Sequence, residues 1–197
     1  MKDFFSKHSY DIIKMFVNQI AISIFGAMLF TATAVAEING AGSALTIVVS
    51  CGAILFYLFL LYTMTWDLGA KDRISVDVGK KQYRPHTGLV LALIANIPNY
   101  IIAIAYTIAA PFSAEPGSWA ETTVSVVQVV SFFIQGMYRG LIYSISIGQT
   151  AIHKFWWIYF IIIIPALVTS WLGYFLGHKN FRLFNFISEK LKNYDKE

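Results

Sequence analysis

The sequence predicts an all-α, polytopic transmembrane helical bundle, and three features carry that expectation. Of its 197 residues, 57% are hydrophobic and only 13% charged, whereas ordinary globular chains run at about 45–50% and about 25%. Five to six apolar segments follow one another, several longer than the ~20 residues that a helix needs to cross ~30 Å of hydrocarbon. They are continuous rather than alternating, which favours helices over barrel strands. The basic residues, finally, collect beside these runs: Lys2, Lys7 and Lys14; Lys71, Arg73, Lys80, Lys81 and Arg84; and Lys179, Arg182, Lys190, Lys192 and Lys196. The whole chain, 1–197, reads as one integral membrane domain.

Taken in order, residues 1–14 mix three lysines with Phe4, Phe5, Ile12 and Ile13, the composition of an amphipathic lead-in at a membrane surface. A first span is expected over 15–36. Ala34-Val35-Ala36 resembles a signal-peptidase site, but the apolar stretch before it far exceeds the 7–15 residues of a signal core, so a retained helix is expected. The turn at 37–43 has two glycines and no basic residue, and the chain re-enters as a second span over 45–66. The polar loop 67–87 follows. Its basic residues orient it to the cytoplasm by the positive-inside rule, and Ile74-Ser75-Val76-Asp77-Val78 alternates like a strand. A third span is expected over 88–110, and the acidic, proline-bearing connection at 111–121 belongs outside.

The fourth apolar region, 124–147, is interrupted by Gln128, Gln135, Gly136, Arg139 and Gly140. The last span, 155–177, has Trp156, Trp157 and Tyr159 at one end and Trp171 and Tyr174 at the other. Trp157 to Tyr174 covers roughly 25 Å at 1.5 Å per residue, close to the separation of two interfacial aromatic belts. Phe181, Phe184, Ile187, Leu191 and Tyr194 then recur at helical intervals among basic residues, which predicts an amphipathic tail over 178–197 lying on anionic headgroups.

These expectations conflict in parity. Five crossings from a cytoplasmic N-terminus end outside, while the basic tail asks for the cytoplasm. Region 124–147 resolves the conflict if it is broken or re-entrant; otherwise a plain five-helix arrangement stands. The reading favoured here keeps both termini cytoplasmic, in the cell membrane.

Chemistry is sparse. No Asp or Glu falls within any expected span, which argues against a proton-coupled pump. Asn96-Ile97-Pro98-Asn99 lies at mid-span, and Arg139 is the one basic residue inside an apolar region. Asn96, Pro98, Asn99 and Arg139 are therefore the candidate substrate-binding residues: an unwound helix with amide ligands can hold a solute. The plainer alternative is a proline kink with amides bonded to a neighbouring helix, and an Arg139 that snorkels to the cytoplasmic face. Lys71, Arg73, Lys80, Lys81 and Arg84 are the candidate lipid or partner contacts. Gly136-x-x-x-Gly140 and Gly173-x-x-x-Gly177 suit close helix approach. The single cysteine, Cys51, allows no intrachain disulfide.

Signatures of membrane enzymes are missing. Arg84-Pro85-His86 resembles part of a lipid-phosphatase motif, but Asp77 stands where that family has a lysine and its second histidine motif is not found. Neither a Gly-x-Ser-x-Gly turn, a His-Glu-x-x-His zinc site nor a phosphate loop occurs. No catalysis, metal, cofactor or nucleic-acid binding is expected, since the basic residues sit where headgroups can meet them. The run Trp66-Asp67-Leu68-Gly69-Ala70-Lys71-Asp72-Arg73, with Gly88-Leu89 and Ala95-Asn96-Ile97-Pro98-Asn99, resembles small multi-pass membrane proteins of Gram-positive bacteria. That likeness covers about the first half of the chain and implies a bacterial plasma membrane and no catalytic residue. The expected function is that of a structural or accessory subunit with a membrane-protein partner or a second copy, the alternative being a small-solute transporter.

Overall fold

The computed structural model describes residues 2–40, 42–80 and 82–181. They form eight α-helices: α1 (Lys2–Ile38), α2 (Ala44–Asp77), α3 (Thr87–Ala95), α4 (Ile97–Ala109), α5 (Trp119–Ile134), α6 (Gly136–Ser144), α7 (Ile158–Ile161) and α8 (Ile164–His178). A small antiparallel hairpin, β1 (Ser146–Ile147) with β2 (Thr150–Ala151), turns at Gly148. Three stretches, His8–Ile38, Ala44–Asp77 and Ile158–His178, are long and apolar enough to cross a bilayer. Two bent pairs, α3–α4 at 53° and α5–α6 at 117°, raise the number to five if each is one span. All-α and membrane-compatible is thus the observed class. The amphipathic tail expected over 178–197 falls mostly on residues 182–197, outside the described residues.

Two expected boundaries are corrected. The surface lead-in at 1–14 is not a separate segment, because α1 is continuous from Lys2; His8 and Met15 are both buried, so this turn packs instead of lying free. The loop 67–87 is helical as far as Asp77, and no strand forms at Ile74–Val78. A helix already 20 residues long extends at one hydrogen bond per residue fixed, whereas a lone strand has no partner to pair with. What stops the helix is Gly79 at φ 74°. Gly79 N–H donates to Val76 O (2.9 Å) and Lys80 N–H to Ser75 O (3.0 Å), a Schellman closure. At roughly 51 Å by helical rise, α2 exceeds the hydrocarbon thickness by about four turns.

α1 and α2 form an antiparallel pair, joined where Thr46 Oγ1 donates to Glu37 at 2.6 Å. α8 packs along the second half of α2 through glycine. Gly69 abuts Tyr174 O and His178 N, Gly173 abuts Thr65 and Tyr62 O, and Gly177 abuts Trp66 O. Backbones meet here because lipid supplies no hydrophobic drive between helices, leaving close van der Waals contact to hold them. Gly88 brings the start of α3 against Ser170 in the same way. The end of α8 therefore lies beside the end of α2, and α3 starts there.

Both bent pairs break where the sequence interrupts the apolar run. α3 and α4 part at Asn96, with Pro98 in the first turn of α4, where a missing N–H is harmless. α5 and α6 part at Gln135. Trp119, at the start of α5, lies against Phe112 with ring centroids 6.2 Å apart. Past the turn, Gly136 meets Ser23 and Ala27, Met137 meets Gly26, Tyr143 meets Phe30 (5.8 Å) and Gly140 meets Ser50 and Thr46. α6 thus climbs α1 towards the end where α1 joins α2. Both glycine pairs, 136/140 and 173/177, serve contacts inside the bundle.

Candidate functional site

Three helix interruptions converge on one point in the bundle. The carbonyl of Ile134 is released by the break at Gln135, since Tyr138 N–H, which an unbroken helix would send to it, donates to Gln135 O at 2.9 Å. In hydrocarbon such a carbonyl must find other donors. α1 supplies two: Ser23 Oγ (2.6 Å) and Gln19 Nε2 (3.1 Å). From the other side, Gln135 Nε2 donates to Asn99 Oδ1 (3.1 Å), Asn99 Nδ2 to Asn96 Oδ1 (2.8 Å), and Asn96 Nδ2 to Ala92 O (2.8 Å). A chain of side-chain amides so links α3, α4 and the α5–α6 turn. Gln19, Asn96, Asn99 and Gln135 are all at most 3% exposed.

These amides, with Tyr57 of α2, Tyr138 of α6 and Ile162, Ile163 and Ala166 at the α7–α8 junction, line a cavity of about 10 Å³. The interruptions at Asn96 and Gln135 do the same local work: each exposes backbone polarity at depth and places an amide beside it. A substitution of Asn99 by Leu is expected to lower stability by about 1–3 kcal/mol, because it strands buried groups of both Asn96 and Gln135. Urea or thermal unfolding of the variant in detergent checks this, and a change within experimental error would show the chain of amides to be energetically idle.

Of the four expected substrate-binding residues, the structure brings together Asn96 and Asn99. Pro98 is half-buried on α4 and does not line the cavity. Arg139 stands apart from them, with its side chain directed to α5. Its Nη2 donates to Gln128 O at 2.6 Å, and its guanidinium lies over Phe132 (5.0 Å) and Tyr143 (5.2 Å). Because α6 doubles back, Arg139 reaches across the turn to α5, so it ties the two halves of the bent pair to each other. The helix carbonyl and two π faces stand in for a missing acid.

Near Arg139, Tyr143 stacks on His153 at 4.0 Å and 3°, and Tyr106 and Tyr159 both donate to His153 O (3.2 and 3.3 Å). Burial, then Lys154 and Arg139, hold the His153 imidazole below its ordinary pKa, so it is neutral at neutral pH. This set of contacts closes the connection between α6 and α7 down onto α4 and α7.

The described members of the expected lipid or partner contacts lie on the last turns of α2 and in the stretch after it. Lys71 and Arg73 ride on the end of α2, Lys80 and Arg84 are exposed beyond it, and Lys81 lies outside the described residues. Arg73 Nε is 3.6 Å from Asp77 Oδ2, with both side chains well exposed, a pair worth about 0–1 kcal/mol. The same end holds a buried carboxylate that sequence reasoning placed in a solvated loop: Asp72, 6% exposed, accepts from Tyr174 Oη at 2.8 Å. Tyr83 packs on His178 at 3.9 Å.

Sequence reasoning missed Gln19, Tyr57, Gln135 and Tyr138 as members of the central site. Each is one polar residue in a long apolar stretch, and nothing local says which of them face inward. Among the described residues no group of three or more His, Cys, Asp or Glu side chains is placed to hold a metal ion. No protein-family model matches the chain, and neither a curated protein nor a solved structure shows significant similarity to it.

Proposed function

We propose that the protein is a structural or accessory subunit of a cell-membrane complex, crossing the bilayer four times with one re-entrant hairpin, α5–α6, and keeping both termini in the cytoplasm. The observation that carries this reading is the closed state of the centre: the mid-depth amides bond one another around a cavity of only about 10 Å³. A solute site needs room and groups free to bind a solute; here most of the amide groups bond one another, and the two left over, Gln135 Oε1 and Tyr138 Oη, face a space too small for any solute. The even count is supported by the contacts of α8, whose last turn lies by Trp66 and Gly69, and by those of α6, which returns along α1.

A partner would meet the projecting end of α2 and the loop after it, where Lys71, Lys80 and Arg84 are exposed. The test is photocrosslinking in cells from a benzophenone side chain at Lys71, Lys80 or Arg84, with Ile104, a lipid-facing exposed residue, as control. A discrete protein adduct from the basic sites and none from Ile104 is expected. Adducts to lipid alone from all four sites would remove the proposal.

One observation favours the transporter reading: interrupted helices of three elements meet at a polar point in mid-bundle, as in carriers with unwound substrate sites. It requires the cavity to open. Solute-dependent labelling of an Asn99→Cys variant, made in a Cys51→Ala background, would favour it over the accessory reading.

A further inference from the structure

We infer that the central cavity binds a single water molecule, held between the side-chain oxygen of Gln135 and the hydroxyl of Tyr138. Both residues line the cavity, and they are 3% and 5% exposed. Gln135 Oε1 and Tyr138 Oη are buried atoms with no protein partner. The orientation of the Gln135 amide is fixed by its own bond, Nε2 to Asn99 Oδ1 at 3.1 Å, so the oxygen is the atom left over. The two orphans are an acceptor and a group that both donates and accepts; water, with two protons and two lone pairs, joins them.

Size and charge select the ligand. A cavity of about 10 Å³ has room for roughly one water by the usual ~10–15 Å³ criterion, and a buried water needs 2–4 polar partners. Any organic solute is too large. A sodium ion would match the volume, but the lining carries no carboxylate, and an uncompensated charge at depth is strongly disfavoured. A neutral, bifunctional ligand with a single heavy atom remains. It sits where the α5–α6 turn faces α2 and α8, completing on that side the bonding that Ser23 and Gln19 complete on the other. The inference holds for either functional reading above.

The test is NMR of the isotope-labelled full chain in lipid nanodiscs. Cross-relaxation between the Gln135 side-chain amide protons and a long-lived water resonance is expected. Ala166, which lines the cavity and is 2% exposed, offers a way to fill it: Ala166→Leu is expected to abolish the cross-peak while the remaining amide spectrum is kept. Tyr138→Phe, which removes one partner and only its hydroxyl from the lining, is expected to weaken it at least twofold and serves if the leucine variant does not fold. Resolved Gln135 amide signals with no water cross-peak in the natural chain would overturn the inference. So would a shift of those signals when sodium replaces choline in the buffer, which would identify an ion.

Discussion

A cysteine at Thr150 will be labelled by a membrane-impermeant maleimide from the same side as one at Glu115, and from the side opposite to one at Lys80. The background is Cys51→Ala, which removes the single native thiol. All three positions are exposed, so side of the membrane, and not burial, decides the outcome. The effect is all or none, because a thiol is either accessible to an impermeant reagent or shielded by the bilayer. The physical basis is the turn of 117° at Gln135 and the contacts of α6 with Ser23, Ala27 and Phe30, which run α6 back along α1 and, in the topology we propose, return the chain to the face it entered from. Ser188→Cys, by the same reasoning, is expected to label with Lys80→Cys. Labelling of Thr150→Cys from the Lys80 side would mean that α5–α6 traverses, and the plain five-helix arrangement would replace the four-crossing one.

The largest loss of stability is expected at the seam of α2 and α8. A methyl group at Gly69 would run into the Tyr174 carbonyl, and one at Gly177 into the Trp66 carbonyl. Neither obstacle is a flexible side-chain tip that could swing aside, so relief requires the two helices to part. Overpacking a well-fitted interior costs about 1–3 kcal/mol, and displacing backbone lies at the top of that range or beyond it. Gly69→Val and Gly177→Val should each fail to give a monodisperse folded species in detergent. Gly52 is the internal control, since nothing lies within 4 Å of the space its Cβ would occupy. It sits mid-helix, so Gly52→Ala should be neutral or stabilising by about 0.5–1 kcal/mol. Equal behaviour of the three variants in thermal melts would show that close approach at the seam is not what holds α8.

The parts of this structure that were legible beforehand are those written in local composition. Apolar length marked α1, α2 and α8, the Asn96-Ile97-Pro98-Asn99 stretch marked a broken helix, and the run of glycines, glutamines and Arg139 marked 124–147 as the weak crossing. The α7–α8 junction ends in Pro165, the second residue of α8, as a proline inside an apolar run suggests. What escaped was whatever depends on the third dimension. Alternation at Ile74–Val78 resembles a strand, yet the segment continues a helix whose far half is anchored by α8. Asp72 looked solvated because its burial depends on contacts from distant parts of the chain, such as the hydroxyl of Tyr174, more than a hundred residues away. Arg139 was measured along a straight helix, and the 117° bend at Gln135 turns its side chain back to Gln128 of α5. The central site draws on Gln19, Tyr57, Asn96, Asn99, Gln135 and Tyr138, residues whose common location no spacing encodes.

The Ile134 carbonyl, answered by Ser23 and Gln19, also imposes a sequence of events during biogenesis. Until α1 stands alongside, the tip of the hairpin would present bare peptide groups to acyl chains, at several kcal/mol for each one unanswered. Synthesis from the N-terminus delivers α1 long before residues 119–144 emerge, so the donors are waiting when the hairpin leaves the insertion machinery. A circular permutant that made α1 last would expose the tip to lipid for the whole interval and should be degraded before it could assemble.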